Sequence, residues 1–271
     1  MTLTEPTRII FRKAHVTERE AVLSTFSTAT RNYLLDVEAA DQQTLEPEVL
    51  KVMGQFAEYR IPLGGACCLM AGARTLAGAL VPMVGETPTN VGPFVSGDYD
   101  RTTGLVGDGI GKYLNSNRAS NADPQDSKHV SVFVSDLRVR IYNPLVGTSR
   151  QDPGHTLLAY GFDSQPTRLR SSVNSRYADI VAILTFPSFI GTSRSGSTSW
   201  TLRSANSNSV PTLPGPTTSN TPVSDNIRIF NGLAGPCDAR LSYYSIGPAV
   251  DLAAMDTAIT TCMNALAAAG I

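Results

Sequence analysis

Between Gly72 and Asn121 the chain cannot hold one direction for long. This stretch sets short apolar pieces, ALV, PFV and KYL, between Gly, Pro, Asn and Asp. Turn residues at that density exclude a long helix and favour short strands that cross quickly between sheets. Helical patterns lie only on either side, before residue 60 and after residue 250. Charged residues make up 17% of the chain and hydrophobic ones 42%. Solubility therefore rests largely on Ser, Thr, Asn and Gly, as in extracellular β-sandwiches and in densely packed assemblies.

The flanks read as helices. Residues 1–16 hold one β-like run, Arg8-Ile9-Ile10-Phe11, which would be exposed unless something pairs with it. Thr17-Glu18-Arg19-Glu20 fits a capping box. Behind it Leu23, Phe26, Tyr33, Leu34 and Val37 recur at helical spacing, predicting one amphipathic helix from about 18 to 40. A second helix is expected after Thr44 as cap, with Glu46, Pro47 and Glu48 in its first turn and a stripe of Leu45, Val49, Met53 and Phe56. At the other end Asp251 can cap a helix whose stripe is Leu252, Met255, Ile259, Cys262, Met263 and Leu266.

The middle reads as strands. Ala66–Ala71 is a continuous apolar run bounded by glycines, expected to be a buried strand carrying Cys67 and Cys68. From His129 to Ser135 strict alternation puts Val130, Val132 and Val134 on one face and Ser131, Phe133 and Ser135 on the other. His129 opens this strand and reads as an edge residue. Further runs are 157–162, 180–186, 189–190, 199–203, 227–230 and 241–246, at the spacing of an all-β sandwich. The stretches 115–128, 138–156 and 204–225 read as polar loops, and the last is long enough to suggest a contact or binding role.

Several phrases resemble a known family. GARTLAGALVP, FVSGDYDRTTGLVGDG with KYL, and RLSYYSIGPAVDL are similar to structural proteins of tailed bacteriophages, cyanophages especially, over roughly residues 60–271. The resemblance implies a concanavalin A-like (laminin G-like, jelly-roll) sandwich and a part in the virion. The 115–128 stretch also resembles the family's NxNADPQ loop; its Asn and Asp side chains can bond sugar hydroxyls, but self-satisfaction of the loop through Asx-turns is the preferred reading. Calcium occurs in sandwiches of this kind, and Asp98 and Asp100, two residues apart, invite a hard cation. They lack the further acidic residues of a calcium loop, so turn chemistry with Arg101 is the preferred reading.

The chemistry that the residues exclude is broad. The formal net charge of −1 leaves no basic excess for a phosphate backbone, so no nucleic-acid partner is expected. The cysteines Cys67, Cys68, Cys237 and Cys262 form no C-x-x-C, and His15, His129 and His155 stand singly. No zinc site follows, and the thiols read as free and buried. Neither a signal peptide nor an apolar run long enough to insert in a membrane is expected. Gly104, Gly107, Gly109 and Gly111 match no phosphate loop, and Lys112 has no phosphate role. No Glu follows Glu86, and the carboxylates Asp36, Glu38 and Asp41 fall in the helical flank, so the paired carboxylates of a glycanase are missing.

The expected architecture is thus mainly β: a concanavalin A-like sandwich at 61–271 with a C-terminal helix, preceded at 1–60 by an arm and helices for attachment or oligomerisation. The expected function is that of a non-enzymatic virion subunit, either capsid decoration or tail fibre. Its partners would be further copies of itself, a trimer by preference, and the major capsid or tail proteins. It would be made in the host cytoplasm and located in the virion. A glycan-binding receptor module of the tail is the alternative, with Trp200, Tyr243, Tyr244 and Asn231 as candidate contacts. A polysaccharide-degrading enzyme is the remote one. No catalytic residue, cofactor or metal is assigned.

Overall fold

A computed structural model describes the backbone of residues 18–137, 143–149, 154–162, 165–175, 177–181, 184–198, 200–204, 218–233 and 235–271. The arm with Arg8–Phe11, the Thr17 cap and most of the 204–225 stretch lie outside these residues.

Helices come first: α1 (18–24), α2 (Thr28–Asp41) and α3 (Pro47–Arg60). The single helix expected over 18–40 is two. Ser24 and Thr25 turn their hydroxyls back on the carbonyls of Ala21 and Val22, and Ser27 then caps α2 by accepting from the Thr30 N–H. Small hydroxyl side chains that compete for backbone groups end a helix as readily as they start one. Thr44 is not the cap of α3. Glu46 occupies that position without a side-chain cap bond, and the Thr44 carbonyl accepts from Arg74 Nε at 2.7 Å.

Strands β1 (Ala66–Leu69), β3 (Tyr99–Asp100), β4 (Gly104–Val106), β6 (Lys128–Asp136), β11 (Ser188–Arg194), β12 (Thr201–Ser204) and β16 (Arg240–Gly247) form one sheet, here the inner sheet. Its order is β12-β11-β6-β16-β4-β3, with β1 also against β16. The outer sheet runs β10-β9-β8-β7-β13-β5-β2. Its strands are β2 (Thr89–Val91), β5 (Tyr113–Ala119), β7 (Asn143–Gly147), β8 (Thr156–Phe162), β9 (Gln165–Val173), β10 (Ala178–Val181) and β13 (Asn226–Ile229). A small ribbon of β14 (Asn231–Gly232) and β15 (Gly235–Pro236) lies beside β7, and a short helix, α4 (Leu76–Ala79), precedes β2. The C-terminal helix α5 (Leu252–Ala268) is capped by Asp251 as expected. No described helix is long and apolar enough to cross a membrane.

The result is an antiparallel sandwich with a third, helical layer on one side. Val130, Val132 and Val134 of β6, with Tyr244 and Ile246 of β16, point between the sheets and meet Leu114, Val146, Leu158, Leu169, Ile227 and Ile229. The alternate residues Phe133, Phe189 and Tyr243 point the other way, into α2, α3 and α5. Among the described residues the helix-facing cluster is as large as the intersheet cluster, 26 buried residues each, so about half of the core lies between the helices and the inner sheet. At roughly 1.5–3 kcal/mol for each large apolar side chain buried, neither half is an ornament.

Several expectations need correcting. ALV falls on and after α4 and PFV is irregular; of the three pieces only KYL enters a strand. Residues 115–119 belong to β5, so the polar loop is 120–127. β7 lies within the 138–156 stretch and is buried throughout, and β10 ends at Val181 instead of reaching 186. His129 is on β6, between β11 and β16, and not at an edge.

The Gly72–Asn121 stretch joins the layers. Arg101 donates Nε to the Gly72 carbonyl and pairs with Glu46 at the start of α3, while Asp41 at the end of α2 accepts from Arg74 N, Thr75 N and the Thr75 hydroxyl at 2.7–2.9 Å. The Arg101 hydrogen bonds, with Arg74 nearby, hold the Glu46 carboxyl down at about 2. Gly104 has φ +89, and a Cβ there would lie 2.2 Å from the Leu241 carbonyl, whereas one on Gly111 would meet nothing within 4 Å. Gly104→Ala should therefore cost about 2–4 kcal/mol in urea unfolding, through a strained φ and a backbone clash, while Gly111→Ala stays within about 0.5 kcal/mol. Equal midpoints for the two variants would contradict this packing.

Candidate functional site

The residues singled out from sequence are mostly structural. Asp98 is paired with Lys112 at 2.6 Å and accepts from Val95 N; Asp100 accepts from Thr102 N and Thr103 N. No group of three His, Cys, Asp or Glu suited to a metal occurs among the described residues. Trp200 is buried in the intersheet core. Tyr243 and Tyr244 do point to opposite faces, but both are buried: Tyr243 lies edge-on to Phe56 at 5.4 Å and Tyr244 accepts from Cys68 Sγ. Asn231 is buried in the ribbon. Glu38 is paired with Arg19 and accepts from Leu45 N. All four cysteines are buried and none is in a disulfide, and burial pushes the Cys262 thiol up to about 12.

One pair has the composition of a catalytic dyad without the setting. His129 Nε2 lies 2.6 Å from Ser245 Oγ, and Nδ1 lies 2.5 Å from the Pro248 carbonyl. A carbonyl only accepts, so the proton is on Nδ1 and Nε2 accepts from the serine. Arg60 occupies the other side of Ser245, donating Nε at 3.1 Å and Nη2 at 2.7 Å. All three side chains are buried. The serine hydroxyl is thus used as acceptor twice and donor once, inside the protein. Burial, with Arg60 nearby, pushes His129 down to about 3.

The open chemistry is on the far side of the outer sheet, the face that no described helix covers. There Thr89, Asn115, Arg228 and Gly147 stand in one cross-strand row on β2, β5, β13 and β7. The alternation of Asn226-Ile227-Arg228-Ile229 sends the isoleucines inward and leaves Asn226 and Arg228 outward. Gly147, next in the row, is covered: a Cβ there would lie 3.1 Å from Leu157 Cδ1 and 3.3 Å from Gly232 Cα. A polar groove of about 500 Å³ lies here, lined by Asn115, Ser149, Ser224, Asp225, Asn226 and Arg228. Ser149 donates to Asp225 at 2.8 Å. The Arg228 guanidinium lies 5.1 Å from the Tyr113 ring centroid and forms no ion pair with a described residue. Such a groove offers amide and guanidinium donors from the strand residues Asn115, Asn226 and Arg228, together with carboxylate and hydroxyl acceptors from Ser149, Ser224 and Asp225 on the adjoining loops.

Lys128 fixes the loops at this end of the sandwich. Its buried Nζ donates to the Ser120 carbonyl at 2.5 Å, the Ser120 hydroxyl at 2.6 Å and Asn174 Oδ1 at 3.4 Å. Asn174 in turn donates to the Gln125 carbonyl, Gln125 to Ser219, and Ser120 N to the Asp225 carbonyl. The 120–127 loop and residues 174 and 219–225 are therefore one bonded unit that ends at the groove. Burial brings the Lys128 ammonium down to about 7. Asn115 was legible in the sequence as a polar residue of the 115–128 stretch. Arg228 was not, although its place in an alternating run was the available signal.

No family model and no curated protein matches the chain. Among solved structures it is similar to the CBM40 of Ruminococcus gnavus IT-sialidase bound to α2,3 sialyllactose, at 12% identity and a TM-score of 0.43 over 57% of this chain and 92% of that one. A mutant Trypanosoma rangeli sialidase displaying trans-sialidase activity matches at 10% identity and 0.44, over 80% of this chain and 38% of that one. Mouse laminin α1 domains LG4–5 match at 8% and 0.35, over 48% and 38%. The likeness is one of strand arrangement and assigns neither ligand nor activity.

His129 makes stability acid-sensitive with a definite sign. The unfolded imidazole titrates near 6.5 and the folded one near 3, so the unfolded chain binds more protons between them. The contribution is complete above about pH 6.5 and is lost as pH falls toward 3, at about 1.4 kcal/mol per pH unit. Urea midpoints of the parent should fall more steeply from pH 6.5 to 4 than those of His129→Gln. Parallel curves would show that His129 does not titrate as a buried neutral ring.

Proposed function

We propose that this chain is a non-enzymatic glycan-recognition subunit of a tailed-phage particle. One observation carries the glycan reading: with the helices on the inner sheet, the outer sheet presents an open polar groove whose guanidinium has no carboxylate partner among the described residues. Sugars are bound by planar amides, carboxylates and guanidinium groups held rigidly against their hydroxyls, and Asn115, Asn226, Asp225 and Arg228 supply that set. Glu38 and Asp41 of the helical flank are engaged in holding the fold, which agrees with a role in binding and not in glycoside hydrolysis.

The virion setting and the choice between capsid decoration and tail fibre rest on the phrases GARTLAGALVP, FVSGDYDRTTGLVGDG and RLSYYSIGPAVDL. We place contacts with further copies, or with capsid and tail proteins, on the helical side, because it lies opposite the groove.

On an array of bacterial surface polysaccharides the protein should bind a subset of glycans, and Arg228→Ala should lose at least about tenfold in affinity with its unfolding midpoint unchanged. Binding that is indifferent to Arg228→Ala, or hydrolysis of an arrayed glycan, would overturn the reading. Gel densitometry of purified particles should find this chain in the virion, at hundreds of copies for decoration or a few to dozens for a tail part. Its absence from particles would remove the phage setting and leave the glycan reading standing.

A further inference from the structure

The outer sheet holds a second exposed feature, which none of the sequence signals marked. Tyr177 is 41% exposed, a value unusual here for a large ring. It directly precedes β10, whose Ala178 pairs with Ser171 of β9. Continuing that antiparallel register by one residue sets Tyr177 opposite Ser172. Ser172 is in turn aligned with Leu157, and Leu157 with Gly147 and Arg228. Tyr177 therefore extends the row of the groove, four strands away from Arg228, or about 19 Å at the usual strand spacing.

The ring is held on its covered side. The Arg170 guanidinium lies 3.9 Å from its centroid and is itself gripped by Asp179 through Nε–Oδ1 at 2.6 Å and Nη2–Oδ2 at 2.7 Å. The His155 ring stands edge-on at 6.4 Å. A tyrosine fixed in this way has few rotamers left to lose on binding, which lowers the entropic cost of placing a ligand on its open side. Between Tyr177 and Arg228, Ser172, Leu157 and Gly147 are buried, so the row has two open ends and a covered middle.

We infer that Tyr177 is a stacking platform for the apolar C–H face of a pyranose ring, forming a second subsite of an oligosaccharide that also engages the Arg228 groove. The inference rests on the glycan reading above. It adds that the ligand is a chain of several sugars, long enough to span the two positions, and that one of its rings exposes an unsubstituted C–H face. The platform needs the aromatic ring and not the phenol hydroxyl, and Asp179 acts only as a positioning residue, through Arg170.

The test uses the whole chain on the polysaccharide array and then, by titration calorimetry, on oligosaccharides of increasing length cut from whichever glycan binds. Tyr177→Ala should lose about tenfold or more in affinity for the longer fragments, while Tyr177→Phe stays within about threefold of the parent. Fragments of one or two sugars should be indifferent to Tyr177→Ala and still sensitive to Arg228→Ala. If Tyr177→Ala binds long fragments as the parent does while Arg228→Ala does not, the platform is wrong and the groove stands. If Tyr177→Phe falls as far as Tyr177→Ala, the hydroxyl and not the ring makes the contact, and stacking is wrong. If no arrayed glycan binds, both readings fail together. Unchanged urea midpoints for the variants separate lost binding from lost folding.

Discussion

A guanidinium buried without a carboxylate holds the layers together. Arg60, the last residue of α3, donates to the hydroxyl of Ser245 on β16 and to the carbonyl of Gly64. Ser245 is free to accept both N–H groups because its own proton goes to His129 of β6, which passes the chain on to the Pro248 carbonyl. One helix, two neighbouring central strands and the approach to α5 are thus fixed by a single relay. Hydrogen bonds to a charged group are worth about 1.5–3 kcal/mol each, and removing a member would leave buried donors or acceptors unpaired. The relay makes the helical side of the inner sheet permanent, and that decides which face of the sandwich is left for other work.

That face is the outer sheet, and its chemistry follows from strand alternation. The inward Leu and Ile of β5 and β13 have outward neighbours that line the groove: Asn115, Asn226 and Arg228. Arg228 and Asn115 stand side by side, while Gly147 and Leu157, next along the row, are buried. The loops at the same end are tied through Lys128, whose ammonium finds only neutral oxygens. Rigid loops around a polar depression give a surface that can discriminate between ligands without first being ordered by them.

The Gly72–Asn121 stretch serves the layers and not a ligand. Its Arg101 reaches Glu46, and its Arg74 and Thr75 backbone amides cap the Asp41 carboxylate. Three of its glycines, Gly92, Gly104 and Gly107, stand where other backbone passes too close for a Cβ, Gly104 beneath Leu241. An acidic pair such as Asp98 and Asp100 looks like a cation site in one dimension because a sequence does not show that Lys112 and turn amides already satisfy it.

Local pattern was enough for much of the fold. The strict alternation of 129–135, the apolar run at 66–71 and the 3.6-residue stripes of α3 and α5 each name an element and its buried face, because burial on one side writes its period into the residues themselves. β9 escaped because Gln165–Val173 alternates polar residues with few apolar ones, and β7 because it hid in a stretch that looked like loop. The broken helix at Ser27 was equally local, and was obscured by an apolar stripe that continues across the break. What the chain order could not contain is which distant residues meet. Arg60 and Ser245 are 185 positions apart, and Arg228 joins Asn115 only when β13 inserts between β5 and β7. Sequence by itself determined the class, a mainly β sandwich flanked by helices, because period and turn chemistry are local. The tertiary structure alone decided that the helices cover one face and leave the other open, because that outcome depends on long-range pairing and on buried polar groups finding their partners.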